Sequence, residues 1–530
     1  MFHLRFDVLR IFALFTGTLI LTPAVVSLAQ QPNPDDLAWQ KSIKKYDRKR
    51  ADLVQTADKL AHEGPFQPDW DSLKNYKIPE WYQDAKFGIF IHWGAYSVPA
   101  FGSEWYPRNM YVKDSPEYKH EVETYGPETK TGYKDLIPLF HAEHFDPHAW
   151  AALFRESGAK YVIPVAEHHD GFPMYDSSLT DWCAAKLGPH RDITAELANA
   201  IRAEGLHYGA SSHRAEHYWF FNGGRAFPSD VQDPNYAALY GPAHMGIDPD
   251  KNGTGHPDAA FLNDWLARST EIVLKYHPEL VYFDWWVEQK EFQPYLQRFA
   301  AVYYNESAKA GIQPVLFRKN AAFPDGTTVL DIERGELDHI EPQHWQTDTS
   351  VSDKSWGYVQ NDTYKSPESL IWQLVDIVSK NGNLLLNIGP RSDGTIPEQA
   401  TDILRHMGQW LKINGDAIYG TRPWTIYGEG PTKVVSGSFH DTATAPYTPQ
   451  DIRFTTKNEE LYAIALGWPE DGKLTIHSLA SSGQFHVGSV TLLGSNTKIE
   501  WTQDADGTHL ELPQERPGMY AYSFHITQAQ

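Results

Sequence analysis

Short apolar runs in the middle of the chain end, one after another, in a polar or ionisable side chain. The runs are FGIFIH, YVIPVAEHHD, HYGASSH, LVYFDWW, PVLFRK, TVLDIE and LLLNIG, with tips at His92, His168, His213, Asp284, Arg318, Glu333 and Asn387. In a parallel barrel, strand bodies fill the interior while the carboxyl ends of the strands face a common pocket. The pattern therefore predicts barrel strands that share one active site.

Helical patterns alternate with these runs, as in DPHAWAALFRESGAK, DITAELANAIRAEG, NDWLARSTEIVLKYHP and ESLIWQLVDIVSKNG. Strands that alternate with helices indicate parallel βαβ units. Their number and spacing predict a (β/α)8-like TIM barrel as the catalytic domain over residues 78–427. A doubly wound open sheet is the alternative, but no strand is followed by a GxGxxG phosphate-binding motif.

The pattern changes after about residue 428. Short alternating segments such as DIRFTTKN, ELYAIALGWP and MYAYSFHIT follow, separated by turn residues at close spacing. This pattern is typical of an all-β sandwich, predicted here over residues 428–530. Before the barrel, residues 30–77 are polar with a helical pattern, and we expect them to form an N-terminal helical extension on the outside of the barrel.

The first 29 residues have the features of a secretory signal peptide. An apolar stretch from Ile11 to Val26 is preceded by arginines and followed by the small residues of Ser27-Leu28-Ala29. The apolar stretch is short for a membrane anchor. The sequence thus predicts export to a bacterial periplasm or to the outside, with no membrane insertion after the signal is removed.

Charge and cysteine content exclude several classes of function. The 68 acidic and 46 basic residues give a formal net charge of −22, which argues against nucleic-acid partners, whose phosphates require a basic surface. Cys183 is the single cysteine, so neither an intrachain disulfide nor a thiolate metal cluster can form. The 13% aromatic content fits carbohydrate stacking as well as core packing.

Two acidic residues at predicted strand ends are candidates for glycoside cleavage. Asp284 lies in an apolar and aromatic run, where a carboxylate is costly to bury unless it is paired or used. Glu333 ends a later strand, and Glu336 and Glu341 are its rivals. One carboxylate could attack the anomeric carbon while the other donates and later accepts a proton.

Histidines form the second group of candidates. His92, the doublet His168 and His169, and His213 all follow predicted strands, and such imidazoles could bind sugar hydroxyls. A zinc-like metal site is the alternative. Adjacent residues of a strand point to opposite faces, which argues against both members of the doublet reaching one ion.

Several long motifs resemble the alpha-L-fucosidases of glycoside hydrolase family 29. They are GIFIHWGAYSVPAFGSEWYPRNMY, VAEHHDGFPMYDSSLTDWCAAKLGPHRDI, WQTDTSVSDKSWGY and LVDIVSKNGNLLLNIGPRSDGTIP, and they occur in the family's order. The resemblance implies a (β/α)-barrel followed by a β-sandwich. It also implies a retaining exo-alpha-L-fucosidase that removes terminal fucose through a covalent fucosyl-enzyme, without a metal or other cofactor.

The resemblance assigns roles to individual residues. Asp284 would be the nucleophile and Glu333 the acid/base. The substrate-binding set would be His92, Glu104, Trp105, His168, His169, Tyr282 and Arg318, and we expect His213 to replace a contact that the family makes through tyrosine. The chain departs from the family at Ser211-Ser212-His213, where many members have two tyrosines, and this departure bears on substrate range.

The expected partner is a fucosylated oligosaccharide or glycoconjugate. The sequence leaves open which glycan and linkage are preferred, whether the protein oligomerises, and what the C-terminal domain does. Two other functions remain as alternatives. One is a non-catalytic fucose-binding protein, and the other is a metal-dependent barrel hydrolase that uses the histidine cluster.

Overall fold

The computed structural model describes residues 34–251 and 253–529. The predicted signal peptide, residues 1–29, lies outside the described residues. Within these residues, four α-helices precede the first strand: α1 (Pro34–Ser42), α2 (Asp47–Leu60), α3 (Trp70–Leu73) and α4 (Glu80–Ala85). None of the described helices is both long enough and apolar enough to cross a membrane.

Eight parallel strands close into a barrel, as the strand-tip pattern predicted. They are β1 (Phe87–Ile91), β2 (Tyr161–Glu167), β3 (His207–Ser212), β4 (Leu280–Phe283), β5 (Val315–Arg318), β6 (Val329–Glu333), β7 (Trp345–Ser350) and β8 (Gly382–Ile388). Each strand pairs with the next in the sequence, and β8 returns to pair with β1. The carboxyl ends of all eight strands therefore open at the same end of the barrel.

The remaining α-helices are α5 (Tyr106–Asn109), α6 (Pro116–Thr124), α7 (Tyr133–Leu136), α8 (Pro147–Glu156), α9 (Ile193–Ala203), α10 (Ala237–Tyr240), α11 (Ala259–Tyr276), α12 (Gln293–Lys309), α13 (Pro367–Ser379) and α14 (Glu398–Asn414). Short 3-10 helices are formed by Lys44–Tyr46, Ala95–Ser97, Ile137–Leu139, Arg214–Tyr218, Asn222–Arg225, Asp230–Gln232, Lys290–Phe292, Gly415–Ala417 and His477–Leu479. Side chains cap the first turns of some helices: in α9 Asp192 accepts from the Ala195 amide, and in α11 Asp258 accepts from the Phe261 amide. The barrel is irregular, because no helix separates β5 from β6 or β6 from β7.

Alternate side chains of the strands fill the barrel interior. Phe90, Ile163, Tyr282 and Phe317 belong to this inner cluster, whereas their neighbours along each strand face the helices. Gly88 is required in β1 because the ring of Tyr161 lies 2.3 Å from the position that a Cβ atom would occupy. The interior is packed to the level of the strand tips, so the free volume lies above them.

A buried ion network lies between β2, α11 and the segment that follows β3. Arg214 Nη1 lies 2.6 Å from Glu167 Oε1, and Arg214 Nη2 lies 2.7 Å from Asp264 Oδ2. Arg268 Nε contacts the same Asp264 oxygen at 3.0 Å. Because Arg214 directly follows His213, this network fixes the backbone that carries the His213 imidazole into the barrel mouth.

The C-terminal region is all-β, as predicted. Its strands are β9 (Arg422–Glu429), β10 (Ile452–Lys457), β11 (Glu460–Ala465), β12 (Lys473–Ile476), β13 (Val487–Leu492), β14 (Glu500–Gln503), β15 (Thr508–Glu511) and β16 (Tyr522–Gln528). A five-stranded antiparallel sheet in the order β13-β16-β11-β10-β9 and a three-stranded sheet in the order β12-β15-β14 share one hydrophobic core. A buried ion pair between Arg453 of β10 and Asp376 of α13 joins this region to the barrel at 2.6 Å.

Candidate active site

A cavity of about 660 Å³ opens at the carboxyl ends of the barrel strands. Nine of the residues singled out in the sequence line it: His92, Glu104, Trp105, His168, His169, His213, Tyr282, Asp284 and Glu333. Other lining residues include Trp285, Lys319, Asp331, Asp348, Trp356 and Phe439. The volume is in the range of small-molecule sites, and acidic, imidazole and aromatic groups converge in it.

Asp284 directly follows β4 and is surrounded by cationic and imidazole groups. Its Oδ1 lies 2.9 Å from Lys319 Nζ, and its Oδ2 lies 3.2 Å from His213 Nδ1 and 3.5 Å from His169 Nε2. Burial alone would raise the pKa of Asp284, but Lys319, His213 and His169 hold it well below its usual range. Asp284 is therefore an ionised carboxylate over the whole physiological pH range.

Glu333, at the end of β6, has the opposite electrostatic character. Burial raises the pKa of Glu333 to about 7, with the neighbouring charges of Asp348 and Asp284 adding to the effect and Lys319 opposing it. Lys319 Nζ lies 2.6 Å from Glu333 Oε2 and 2.9 Å from Asp284 Oδ1. These two distances add to 5.5 Å, so the two carboxylate oxygens lie no more than 5.5 Å apart.

The two rivals of Glu333 lie outside the cavity lining. Glu336 is buried beside the C-terminal region, where its Oε2 accepts a hydrogen bond of 2.8 Å from Thr444 Oγ1. Burial raises the pKa of Glu336 to about 8, but the carboxyl has no access to the cavity. Glu341 is partly exposed and accepts from the Gln343 amide at 3.2 Å. Geometry thus separates three glutamates that the sequence left in competition.

Arg318, predicted to contact the substrate, does not line the cavity, whereas its neighbour Lys319 does. In β5, Phe317 points into the barrel, so Arg318 points outward and Lys319 points inward again. The Arg318 guanidinium forms an ion pair with Asp325 and donates 2.6 Å to the Asn320 carbonyl oxygen. Counting inward positions from the apolar residues of β5 would have identified Lys319.

The two histidines of the doublet belong to different possible metal groups, although they do not lie in a strand. β2 ends at Glu167, so His168 and His169 lie in a turn, where the alternation of a strand no longer applies. Both imidazoles line the cavity, and their ring centroids are 4.1 Å apart.

Burial leaves three of the imidazoles neutral. It lowers the pKa of His92 and of His168 well below the ordinary value, and it lowers that of His213 as well. His92 Nδ1 lies 2.7 Å from Asn387 Oδ1, which sets the tautomer in which Nδ1 carries the proton. The nitrogen donors of His92, His168 and His213 lie within 4.8 Å of one another, as do those of His169 and His213 with a carboxylate oxygen of Asp284. Either group could hold a metal ion, as the metal-hydrolase alternative requires.

His169 differs from the other imidazoles because it faces two carboxyl groups. Burial alone lowers the pKa of His169, but Glu216, whose Oε2 lies 3.2 Å from His169 Nδ1, and Asp284 raise it to about 9. Burial raises the pKa of Glu216 to about 8, although His169 opposes the change. The site therefore contains neutral imidazoles on one side and a proton-holding imidazole beside the nucleophile candidate.

Glu104 and Trp105 lie in the loop after β1, and Glu104 orders the loop after β7. Its Oε2 accepts from the Trp356 amide at 2.8 Å and from Ser355 Oγ at 3.1 Å. The Trp356 ring lies over His92, with centroids 5.2 Å apart, and the Arg334 guanidinium carbon lies 4.7 Å from the Trp356 ring centroid. Sequence reasoning missed Trp356 because tertiary contacts with Glu104, Arg334 and Asn387 hold its loop at the site.

A carboxyl pair lies beneath Lys319. The Tyr282 hydroxyl contacts Asp348 Oδ2 at 2.9 Å and Asp331 Oδ1 at 3.2 Å. Burial, together with the nearby charge of Asp348, raises the pKa of Asp331 well above its ordinary value, so Asp331 keeps its proton. Lys319 Nζ lies 3.8 Å from Asp348 Oδ2, which leaves the ammonium with a third acidic neighbour.

Residues 436–442, here called the mouth segment, come from the connection between β9 and β10. Gly437 forms an antiparallel bridge with Glu336, and the Phe439 amide donates 2.9 Å to the Glu333 carbonyl oxygen. Ser438, Phe439, Asp441 and Thr442 line the cavity. One wall of the site is therefore formed by the β9–β10 connection, which follows the barrel in the sequence.

Comparison with known sequences identifies the family. A family model described as alpha-L-fucosidase matches residues 53–416, and one described as the alpha-L-fucosidase C-terminal domain matches residues 445–527. The chain belongs to the alpha-L-fucosidase family. One similar relative is the tissue alpha-L-fucosidase of Rattus norvegicus, which is 34% identical over 467 residues that cover 86% of this chain and 90% of the relative. Another is the plasma alpha-L-fucosidase of Homo sapiens, which is 34% identical over 460 residues that cover 85% of this chain and 89% of the relative.

Solved structures of alpha-L-fucosidases agree with the fold. Thermotoga maritima alpha-fucosidase in complex with a mechanism based inhibitor has a TM-score of 0.71 and 29% identity, with 87% of this chain and 100% of that chain covered. The same enzyme in complex with fucose has a TM-score of 0.69 at the same identity and coverage. The predicted family, the barrel followed by a β-sandwich, and the assignment to the glycoside hydrolases are confirmed.

Proposed function

We propose that this chain removes terminal alpha-L-fucose from fucosylated glycans with retention of configuration, using Asp284 as nucleophile and Glu333 as acid/base. The observation that carries the proposal is the single Lys319 ammonium in contact with both carboxyl groups. It limits the oxygens of Asp284 and Glu333 to a separation of 5.5 Å at most. Retaining glycosidases have carboxyl groups about 5–5.5 Å apart, whereas inverting enzymes need about 6.5–9.5 Å.

The electrostatics assign the two carboxyl groups different roles. A nucleophile must be ionised, and the pKa of Asp284 is held well below its usual range. A general acid must hold a proton near neutral pH, and the pKa of Glu333 is about 7. Environments that separate two carboxyl pKa values in this way are typical of acid and base pairs.

In the first step, the Asp284 carboxylate forms a bond to the anomeric carbon while the bond from that carbon to the glycosidic oxygen breaks. Glu333 gives its proton to the departing oxygen, so the leaving group departs as a neutral alcohol. In the second step, the Glu333 carboxylate takes a proton from water. The water oxygen bonds to the anomeric carbon, the ester to Asp284 breaks, and both side chains return to their starting states.

The cavity walls supply the groups that would bind the sugar. We infer that the neutral imidazoles of His92 and His168 and the carboxylate of Glu104 hold hydroxyls, since each lines the cavity. His169, which keeps its proton because the pKa is about 9, is a donor beside Asp284. Aromatic faces, including Trp105, would contact the C5 methyl group and the apolar face of fucose.

Product stereochemistry and nucleophile replacement together test the proposal. Proton NMR of the first turnover of an aryl alpha-L-fucoside should show alpha-L-fucose before mutarotation. Asp284→Ala should lose at least about a hundredfold in turnover, and azide should restore activity as the inverted beta-fucosyl azide. Glu341→Gln, at a carboxyl group outside the cavity, is the matched control and should match the native enzyme. A first product of beta configuration, or an active Asp284→Ala variant, would refute the assignment.

Export by way of residues 1–29 is part of the proposal. The expected result is a mature chain that begins close to residue 30, as read by N-terminal sequencing of protein recovered outside the cytoplasm. Protein in that fraction that still begins at Met1 would contradict the proposed export.

A further inference from the structure

The mouth segment is fixed by hydrogen bonds to β6 and to the residue that follows it. The Phe439 amide donates 2.9 Å to the Glu333 carbonyl oxygen, and the amides of His440 and Asp441 donate 2.8 and 2.9 Å to the Arg334 carbonyl oxygen. These bonds place the backbone of the segment directly beside the proposed acid/base. A shift of the segment would therefore displace the backbone of Glu333.

A buried carboxylate secures the same segment to the barrel. Asp441 Oδ2 accepts 2.5 Å from Thr349 Oγ1 and lies 3.2 Å from Lys365 Nζ and 3.3 Å from Arg334 Nη1. Ion pairs and hydrogen bonds of this kind, shielded from water, are strong and directional. These contacts therefore hold the segment in a defined position in the cavity wall.

Phe439 stands out from this fixed backbone. Its side chain lines the cavity and is 65% exposed, the highest value among the exposed large hydrophobic residues of the described chain. Its φ angle is +60°, a region that costs a non-glycine residue about 1–2 kcal/mol. Strain and exposed apolar surface, held in place by surrounding structure, are typical of functional positions.

We propose that Phe439 is the platform on which the leaving-group sugar stacks in the subsite just outside the fucose site. The inference rests on the proposed function, in which Glu333 protonates the departing oxygen. The leaving group must then lie on the Glu333 side of the cavity, and Phe439 is the exposed aromatic residue whose backbone is bonded to Glu333. The aromatic face suits the C–H face of a hexose ring.

The polar groups around Phe439 match a sugar rather than an alkyl chain. Ser438 and Thr442 flank it within the mouth segment, and Lys354 lines the same cavity. Sugar sites combine an apolar face with a few hydrogen-bonding groups. The structure therefore assigns recognition of the second sugar to residues of the β9–β10 connection, and recognition of fucose to the barrel.

The experiment compares two substrates that differ only in the leaving group. Alpha-L-fucosyl fluoride has no second ring, whereas a fucosyl-disaccharide carries a hexose. Phe439→Ala should lower kcat/KM about five- to tenfold for the disaccharide, the range expected for one aromatic contact, and leave that for the fluoride within about twofold. Phe439→Tyr should keep both values, and Phe439→Leu, which keeps apolar volume without a ring, should behave like the alanine variant.

The outcomes separate this inference from the proposed function. A native enzyme that fails to hydrolyse the fluoride overturns the proposed function itself. A native enzyme that is active on both substrates, with a Phe439→Ala variant that is unimpaired on the disaccharide, overturns the platform alone. An equal loss on both substrates would mean that Phe439 acts by positioning Glu333, which also overturns the platform.

Discussion

Replacing Lys319 with methionine should move the alkaline limit of activity to higher pH. The ammonium lies 2.6 Å from Glu333 Oε2, where it favours the ionised form of this carboxyl group. Without the charge, the pKa of Glu333 rises above its present value of about 7. The general acid must hold its proton. In the Lys319→Met variant, Glu333 should therefore stay protonated at pH values where Glu333 of the native enzyme has already lost its proton.

The 2.6 Å distance between Lys319 Nζ and Glu333 Oε2 sets a lower bound on the shift of the alkaline limb. Even with the dielectric constant of bulk water, two unit charges at this separation interact by about 1.6 kcal/mol. One pKa unit corresponds to about 1.4 kcal/mol, so the alkaline limb should move by at least about one pH unit. The contact to Asp284 at 2.9 Å is similar, so the acid limb, which reports ionisation of Asp284, should move upward as well.

The assay is the pH dependence of kcat/KM, which reports the ionisations of the free enzyme. A fucoside with an alkyl or sugar leaving group is needed, because an activated aryl group departs with little help from an acid. Lys319→Arg keeps the charge and should keep the limb near its native position. Asp348→Asn is the opposite control: the Asp348 charge contributes to the raised pKa of Glu333, so its removal should move the limb to lower pH.

Absolute activity is expected to fall in these variants, whereas the position of the alkaline limb reports the pKa of Glu333. If the limb of Lys319→Met coincides with the native limb, or moves to lower pH, Glu333 is not the group that titrates. If Lys319→Met and Asp348→Asn move the limb in the same direction, charge is not the cause.

Two further predictions concern metals and stability. Extended dialysis against a chelator should leave fucosidase activity unchanged, because Asp284 and Glu333 complete the proposed chemistry; a loss that added Zn²⁺ restores would instead show a catalytic metal on the imidazoles. Asp264→Ala should lower the free energy of unfolding by about 3–5 kcal/mol in urea titrations, because it strips Arg214 of a buried partner. Glu500→Ala, at an exposed ion pair with Lys498, is the matched control and should cost less than about 1 kcal/mol, and equal losses in the two variants would contradict the network's role.

Most of the barrel could be predicted from the chain because seven of its eight strands carry their own signal. Apolar bodies such as Leu280–Phe283 are followed by a polar tip, and helical patterns separate most of them. The region from Val315 to Ser350 was harder, since β5, β6 and β7 follow one another without helices. There the sequence predicts β5 and β6 but not β7, because the strand Trp345–Ser350 reads WQTDTS and has no apolar body.

Side-chain direction was the main limit at the active site. A polar tip identifies the end of a strand within a residue or two, but one residue decides whether a side chain points into the barrel or away from it. For this reason the strand pattern indicates Arg318, whereas the side chain that lines the cavity is that of Lys319. At His168 and His169 the alternation of a strand does not apply, because β2 ends at Glu167.

Local sequence patterns could not predict the position of the mouth segment. Phe439 and Asp441 are distant in sequence from every barrel strand tip, and they reach Glu333 and Arg334 only because the C-terminal sheets pack against the barrel. No spacing or composition in residues 436–442 indicates that contact. The carboxyl pair of Asp331 and Asp348 was hidden for a related reason, since two acidic residues on neighbouring strands become a pair only through the register that joins β6 to β7.

The β9–β10 connection also makes the enzyme indivisible for protein engineering. A truncation after α14 would keep all eight barrel strands and both proposed catalytic carboxyl groups, but would remove the wall that is hydrogen-bonded to Glu333 and Arg334. Chimeras that exchange the region after α14 between relatives would, for the same reason, transplant one side of the catalytic cleft along with the sheets. Selectivity could then be varied by recombination at α14, with the fucose-binding side left untouched.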